Sequence, residues 1–466
     1  MGRVCIIGAG SSGIASCQVL HGRGIAFDCF ELGSDIGGNW RYLNDNGMSS
    51  AYRSLHINSS RHSMQYATYP IPDHYPNYLG HRAIAQYFDD YVKHFDFRDK
   101  IQFRTEVTRV ERAARGEWEV TTRHRDSGEI CVRSYSAVLV ANGHHWDPKL
   151  PTPPFPGASS FKGEQIHSHY YRTPEQYTDK RVLVLGIGNS ACDVATDCSD
   201  VAERTFIAMR RGAHVLPKYL FGIPTDHLTL TRWGTKAPLW LQRNVLTALV
   251  RIARGKITNY GLPRPDHHML NAHPTMSDRL LHKLDHGDIT VKPAIERLGP
   301  DGVYFADGSF EQVDTIFYAT GYRISFPFLD DALFPVDDNR ISLYHRVVPP
   351  DLPGLYFIGF VQPIGAIRPM AEIQSEWVAD LLEGRATLPS RAAMTREIDG
   401  YHRRLRRRYV GSTRHTIQVD FYAHIREIRR ERRVGAKRNG TSYAITVDSA
   451  EPSVMRQAAT RGPSAD

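Results

Sequence analysis

Two glycine-rich turns in matching settings leave this chain few folds to choose from. The first, Gly8-Ala9-Gly10-Ser11-Ser12-Gly13, follows the apolar run Val4-Cys5-Ile6-Ile7. The second, Gly186-Ile187-Gly188-Asn189-Ser190-Ala191, follows Val182-Leu183-Val184-Leu185. Each run reads as a buried strand, and each turn opens a predicted helix. In that setting the first glycine makes the tight turn and the second lets a pyrophosphate approach the backbone. The third position keeps helix close to strand. The phosphates then rest on a helix N-terminus. Two such units predict an α/β protein with two Rossmann-like dinucleotide-binding domains.

The strand after each turn separates the two ligands. Ala26-Phe27-Asp28-Cys29-Phe30 ends in Glu31. A carboxylate there accepts from a ribose 2′-hydroxyl and repels a 2′-phosphate, which reads as FAD. Thr205-Phe206-Ile207-Ala208-Met209 ends in Arg210-Arg211. Guanidinium groups there suit a 2′-phosphate, which reads as NADPH.

Residues 1–160 and 301–438 are predicted to form the FAD-binding domain. Residues 161–300 are predicted to form an NADPH-binding domain inserted within it, carrying an insertion of its own. The chain is expected to return to the first domain at Asp314-Thr315-Ile316-Phe317-Tyr318-Ala319-Thr320-Gly321. Pro148, Pro151, Pro153, Pro154 and Pro156 mark the outgoing linker. Residues 439–466, rich in Ser, Ala, Thr, Gly and Arg, are expected to be a disordered tail. Within the insertion, Leu241, Val245, Ala248, Leu249 and Ile252 recur at helical spacing beside Arg243, Arg251 and Arg254. A helix that covers the active site or packs on the core is favoured over one lying on a membrane surface.

Bulk properties narrow the class further. A chain of 466 residues has room for two or three domains. No apolar run approaches the ~18 residues of a spanning helix, and no signal-peptide pattern precedes the first strand. A cytoplasmic protein without integral membrane contact is expected. The net charge of +8 owes much to Arg403–Arg438, which reads as a solvated basic helix. No zinc-finger, RNA-binding or helix-turn-helix signature points to nucleic acid. The six cysteines, Cys5, Cys17, Cys29, Cys131, Cys192 and Cys198, contain no CxxC pair, so most are expected in the core. The histidines lack metal-binding spacing, and no metal site is expected. A homodimer is the base-rate expectation for oligomeric state.

Further strings resemble one family. Phe161-Lys162-Gly163-Glu164-Gln165-Ile166-His167-Ser168-His169-Tyr170-Tyr171 fits FxGxxxHxxxY/F. It is similar to the identifying motif of flavin-containing monooxygenases, and related Baeyer–Villiger enzymes carry Trp where Tyr171 stands. Gly37-Gly38-Asn39-Trp40, Gly188-Asn189-Ser190-Ala191-Cys192-Asp193, Ala319-Thr320-Gly321-Tyr322, and Phe357-Ile358-Gly359 with Gln362-Pro363 are also family-like. The resemblance spans about residues 3 to 425. It departs at Ala191, where Gly is frequent, and at Asn39, where Leu is frequent; a methyl at 191 should still permit close packing.

The resemblance implies that NADPH delivers hydride to FAD and that the reduced flavin adds dioxygen as a C4a-hydroperoxide. A soft nucleophile, an amine or thioether of a small molecule, then takes the distal oxygen. It implies flavin contacts at Gly8, Ala9, Gly10, Ser11, Ser12, Gly13, Glu31, Gly38, Asn39, Trp40, His56, Asn58, Ser59, Val107, Ala141 and Gln362. It implies NADP contacts at Gly186, Gly188, Asn189, Ser190, Ala191, Cys192, Asp193, Arg210, Arg211 and Thr320. Asn58 matches the flavin-facing amide, whose donor and acceptor suit it to the catalytic role. His167 links the domains or caps a turn. Pro369 opens a helix whose N-terminal dipole would favour reduced flavin if it faces the ring. The competing readings are a Baeyer–Villiger monooxygenase, an NADPH-dependent flavin reductase or oxidase, and a non-catalytic nucleotide sensor. Tyr171 opposes the first, the missing CxxC opposes a dithiol reductase, and the joint presence of Gly8, Glu31, Asn58 and Gly186 opposes the last.

Overall fold

The computed structural model describes residues 2–114, 116–229, 237–409, 411 and 415–438. Two five-stranded parallel sheets organise it. In the first the strand order is Leu355–Phe357, Ala137–Val140, Val4–Ile7, Phe27–Phe30, Ile101–Gln102. In the second it is Ile289–Lys292, Arg204–Ala208, Arg181–Leu185, Thr315–Tyr318, Glu164–His167. The strand that feeds each glycine turn is central in its sheet, so each turn emerges at the carboxyl edge where ligands bind in such sheets.

Both central strands are apolar without alternation because both their faces are covered. Val4 and Ile6 enter one core with helix Ser11–Gly22, while Cys5 and Ile7 enter another on the opposite face. Val182 and Val184 likewise part from Leu183 and Leu185. Each unit also carries a three-stranded antiparallel sheet, Thr105–Arg112 with Trp118–His124 and Ile130–Tyr135, and Ile295–Gly299 with Gly302–Phe305 and Phe310–Gln312. Five of the six cysteines are buried and all are free thiols, as core packing predicts.

Three expectations are corrected. Thr315–Tyr318 pairs with Val182–Leu185, so it belongs to the second sheet and the return to the first follows it. Its four buried side chains fit a central strand of either sheet, and the sequence pattern could not choose. In helix Leu239–Arg254 the buried residue is Leu246, not the Val245–Ile252 stripe; Ile252 is 74% exposed. Leu216, Leu220 and Met269 take Leu246, which turns that stripe outward. Leu241, Val245 and Leu249 still line the central cleft, so the helix covers it. Thirdly, the basic stretch is partly paired, not merely solvated: Arg408 bonds Asp420 and Arg432 bonds Asp380. The tail from 439 lies outside the described residues. Among the described residues no helix is long and apolar enough to cross a membrane.

Candidate active site

A cleft of about 1960 Å³ runs between the two glycine turns. At its first end, helix Ser11–Gly22 has Gly10 as N-cap and no side-chain cap. Its first N–H groups are therefore available to an anion. Gly13 is obligatory there, since a Cβ would lie 1.8 Å from the Gly8 carbonyl oxygen. Glu31 is buried at the adjoining strand end. Its Oε2 accepts from the Ala9 N–H at 2.8 Å and its Oε1 from the Gly33 N–H at 2.8 Å and the Asn46 amide at 3.2 Å. Burial raises its carboxyl above the usual range, and the two backbone donors oppose that rise. The same carboxylate thus faces the cleft and ties down the turn, a second task that spacing alone does not reveal.

The second end repeats the design. Helix Asn189–Cys198 starts at Gly188, again without a side-chain cap. A Cβ on Gly186 would come within 2.8 Å of the Ala319 carbonyl oxygen. Ala191 is fully buried beneath the turn, so its methyl is accommodated as the sequence suggested. Asn189 Oδ1 accepts from the Met276 N–H at 2.8 Å and ties the turn to the insertion. Arg210 and Arg211 are exposed along the cleft, and Asp266 lies 3.4 Å from the Arg211 guanidinium.

Loops between the two ends complete the walls. Gly8, Gly10, Ser11, Ser12, Glu31, Gly38, Asn39, Trp40, His56, Asn58, Ser59, Val107, Ala141, Gln362 and Thr320 all line the cleft. So do Gly186, Gly188, Asn189, Ser190, Ala191, Arg210 and Arg211. Asn39 explains its own departure from Leu: its Oδ1 accepts from the Ser50 N–H at 2.7 Å and hydroxyl at 2.9 Å, which fixes the loop. The Asn58 side chain has no hydrogen-bond partner among the described residues. Helix Arg368–Leu382 begins against the cleft, with Ile367 in its wall.

Other expected site residues sit elsewhere. Ala9 and Gly13 lie behind the first turn. Cys192 is fully buried in the second core, and Asp193 accepts from the Tyr52 hydroxyl; neither lines the cleft. Burial lifts the Asp193 carboxyl to about 6. Phe161, Gly163, His167 and Tyr171 are also absent from the wall. Their motif is architectural. A Cβ on Gly163 would meet the Asp314 carbonyl oxygen at 2.5 Å. His167 Nδ1 accepts from the His169 N–H at 3.0 Å and caps the turn Ser168–Tyr170, and burial lowers its imidazolium to about 4. The Tyr171 hydroxyl donates to Asp197 at 3.2 Å.

Two residues escaped sequence reasoning. Arg368 is fully buried, donates to the Met64 carbonyl at 2.8 Å, and lies 5.6 Å from the Trp40 ring. Asp226 lines the cleft from the insertion. Neither belongs to a motif; only the fold brings them here.

The description "Flavin-binding monooxygenase-like" matches residues 1–452. The chain is 38% identical over 457 residues to flavin-containing monooxygenase 5 of Cavia porcellus, covering 95% of this chain and 85% of that protein. Among solved structures, the S-allyl-L-cysteine S-oxygenase of Allium sativum superposes with a TM-score of 0.70 at 27% identity, covering 94% of this chain and 92% of that one. OTEMO in complex with FAD and NADP gives 0.69 at 18% identity, covering 94% and 98%, which bears on the fold.

Proposed function

Because the chain belongs to the flavin-binding monooxygenase-like family, and is thus an NADPH-dependent, FAD-containing monooxygenase, we propose that it oxygenates soft nitrogen or sulfur atoms of small molecules. Bound FAD supplies the oxygen-activating ring and NADPH supplies the hydride. The observation that carries the reading is the paired architecture: two uncapped glycine-led helix N-termini face one cleft, with a carboxylate beside one and two arginines beside the other. These fit the two dinucleotides, because both cradles would be filled by a Cβ and both adjoining charges match the expected ribose substituents.

Each residue then has a task. Glu31 would accept from the adenosine ribose of FAD while holding the turn through Ala9. Arg210 and Arg211 would receive the 2′-phosphate. Trp40, in the cleft wall, would pack along the flavin. Asn58 presents a free amide donor and acceptor to the cleft, and with FAD bound it would hydrogen-bond the reacting oxygen without adding charge. Helix Leu239–Arg254 closes the cleft and helps exclude water. The test is NADPH oxidation screened across tertiary amines, thioethers and ketones, with product and hydrogen peroxide both measured. Oxygen-dependent formation of N-oxide or sulfoxide supports the reading. Ester formation from ketones alone, or peroxide without product from any substrate, overturns it.

A further inference from the structure

Asp226 is a half-buried charge of the cleft wall, with one carboxylate oxygen fully buried, that the cofactors do not explain. It stands on helix Thr225–Thr229 of the insertion, beside Leu228, and shares the cleft wall with Leu216, Leu246 and Met269. Its Oδ2 accepts from the Ser60 N–H at 3.0 Å, the Ser60 hydroxyl at 2.7 Å and the Ser63 hydroxyl at 2.6 Å. Its Oδ1 is buried and has no hydrogen-bond partner. Among the described residues, no lysine or arginine forms an ion pair with it. The neighbouring His227 Nε2 bonds the Ser60 hydroxyl at 2.9 Å.

A carboxylate with no ion-pair partner among the described residues, set beside Leu216, Leu246 and Met269, projects negative potential into the adjacent cavity. Ser60 lies two residues from Asn58, so that potential falls beside the point where oxygen is transferred. We propose that Asp226 is a specificity-determining residue that selects substrates carrying a cationic group a few bonds from the sulfur or nitrogen oxygenated. The inference rests on the monooxygenase reading above. The cationic group is recognised, not oxidised: a protonated nitrogen has no lone pair, so the reacting atom is a second, neutral one. The hydrogen bonds to Ser60 and Ser63 hold the carboxylate in place. They also clasp the Asn58 loop to the insertion, which is the competing structural role.

The experiment compares three thioethers of similar size with the holoenzyme at pH 7.5: 2-(methylthio)ethylamine, methyl propyl sulfide and (methylthio)acetate. Sulfur is the reacting atom in all three, and only the charge of the remote group changes. The expected order of kcat/KM is cation, neutral, anion, with cation over neutral by about ten- to hundredfold. In Asp226→Asn, which keeps an acceptor for Ser60 and Ser63, that ratio collapses toward one, chiefly through KM for the cation. Ser63→Ala weakens the clasp without removing charge and should leave the ratio intact. Equal kcat/KM for all three in the wild type overturns the inference while the monooxygenase reading stands. So does a uniform loss across all three in Asp226→Asn. Failure of the wild type to oxygenate any of them overturns the reading and the inference together.

Discussion

Removing the Glu31 carboxylate takes an acceptor from the Ala9 N–H and from the ribose that would share it. Charge-assisted hydrogen bonds of this kind contribute roughly 1.5–3 kcal/mol. Glu31→Ala should therefore purify with well under half the wild-type FAD content and recover colour only at high added FAD; full retention at nanomolar enzyme would separate Glu31 from the ribose. Arg210 and Arg211 differ in a way their adjacency hides. Asp266 lies near Arg211, which leaves Arg210 the better phosphate ligand. Arg210→Ala should raise KM for NADPH about tenfold and Arg211→Ala by less, with KM for NADH little changed. If both coenzymes weaken alike, the arginines hold the strand end and not the phosphate. Asn58→Leu keeps side-chain volume but neither donates nor accepts. FAD should stay bound through Glu31 and the turn, and NADPH should still be consumed. Product per NADPH should fall steeply while hydrogen peroxide rises, since losing such a donor costs about 2.7–4 kcal/mol. An unchanged product yield would remove Asn58 from oxygen transfer.

At the scale of elements, legibility followed periodicity and local chemistry. Both glycine turns, their strands and their helices stand where the sequence puts them, because a buried parallel strand and a glycine N-cap are local patterns. Thr315–Tyr318 carried the same pattern but no label for its sheet; partner choice is a non-local decision. The stripe of helix Leu239–Arg254 had the right period and lines the cleft through Leu241, Val245 and Leu249, but the residue the helix buries is Leu246, because Leu216, Leu220 and Met269 arrive from distant chain. Cys192 and Asp193 adjoin the second turn in sequence, yet helix Asn189–Cys198 carries them toward its own core and Tyr52. Asp226 had no signal at all. The FxGxxxHxxxY string marks a family but builds the edge strand of the second sheet, Glu164–His167. Gly163→Ala should show this: its methyl meets a backbone carbonyl that cannot retreat, a clash worth about 1–3 kcal/mol. The melting temperature should drop by several degrees while product per NADPH in the folded enzyme is unchanged. Loss of coupling without loss of stability would give the motif a direct role in the chemistry.

Across the whole molecule, the loops that carry Asn58 are fastened to the second unit by polar contacts: Tyr52 to Asp193, Ser54 to Asp197, and Arg172 to the Ser49 carbonyl at 2.9 Å. These tie the Asn58 loops to the unit that carries the second glycine turn, and one of them titrates. Asp193 faces Tyr52, Lys218, Asp197 and Arg279, and burial outweighs the hydrogen bond from Tyr52 and the two cations to raise its carboxyl to about 6. In the unfolded chain an aspartate titrates near 3.9. The folded state therefore holds the proton more tightly. The stabilisation is fully present below about pH 4 and is lost as pH rises through about 6. A rise of about two units corresponds to roughly 2–3 kcal/mol. Glu372, raised to about 7 by its own burial, works in the same direction, so the wild-type curve alone cannot assign the effect. The difference from Asp193→Asn can, because Glu372 is common to both proteins. Asparagine still accepts from Tyr52 but does not ionise. The melting temperature of the wild type should fall relative to Asp193→Asn between about pH 4 and 6.5, most steeply near pH 5, and level off above that. Parallel curves across that window would show that Asp193 stays ionised in the fold and that the clasp is indifferent to pH.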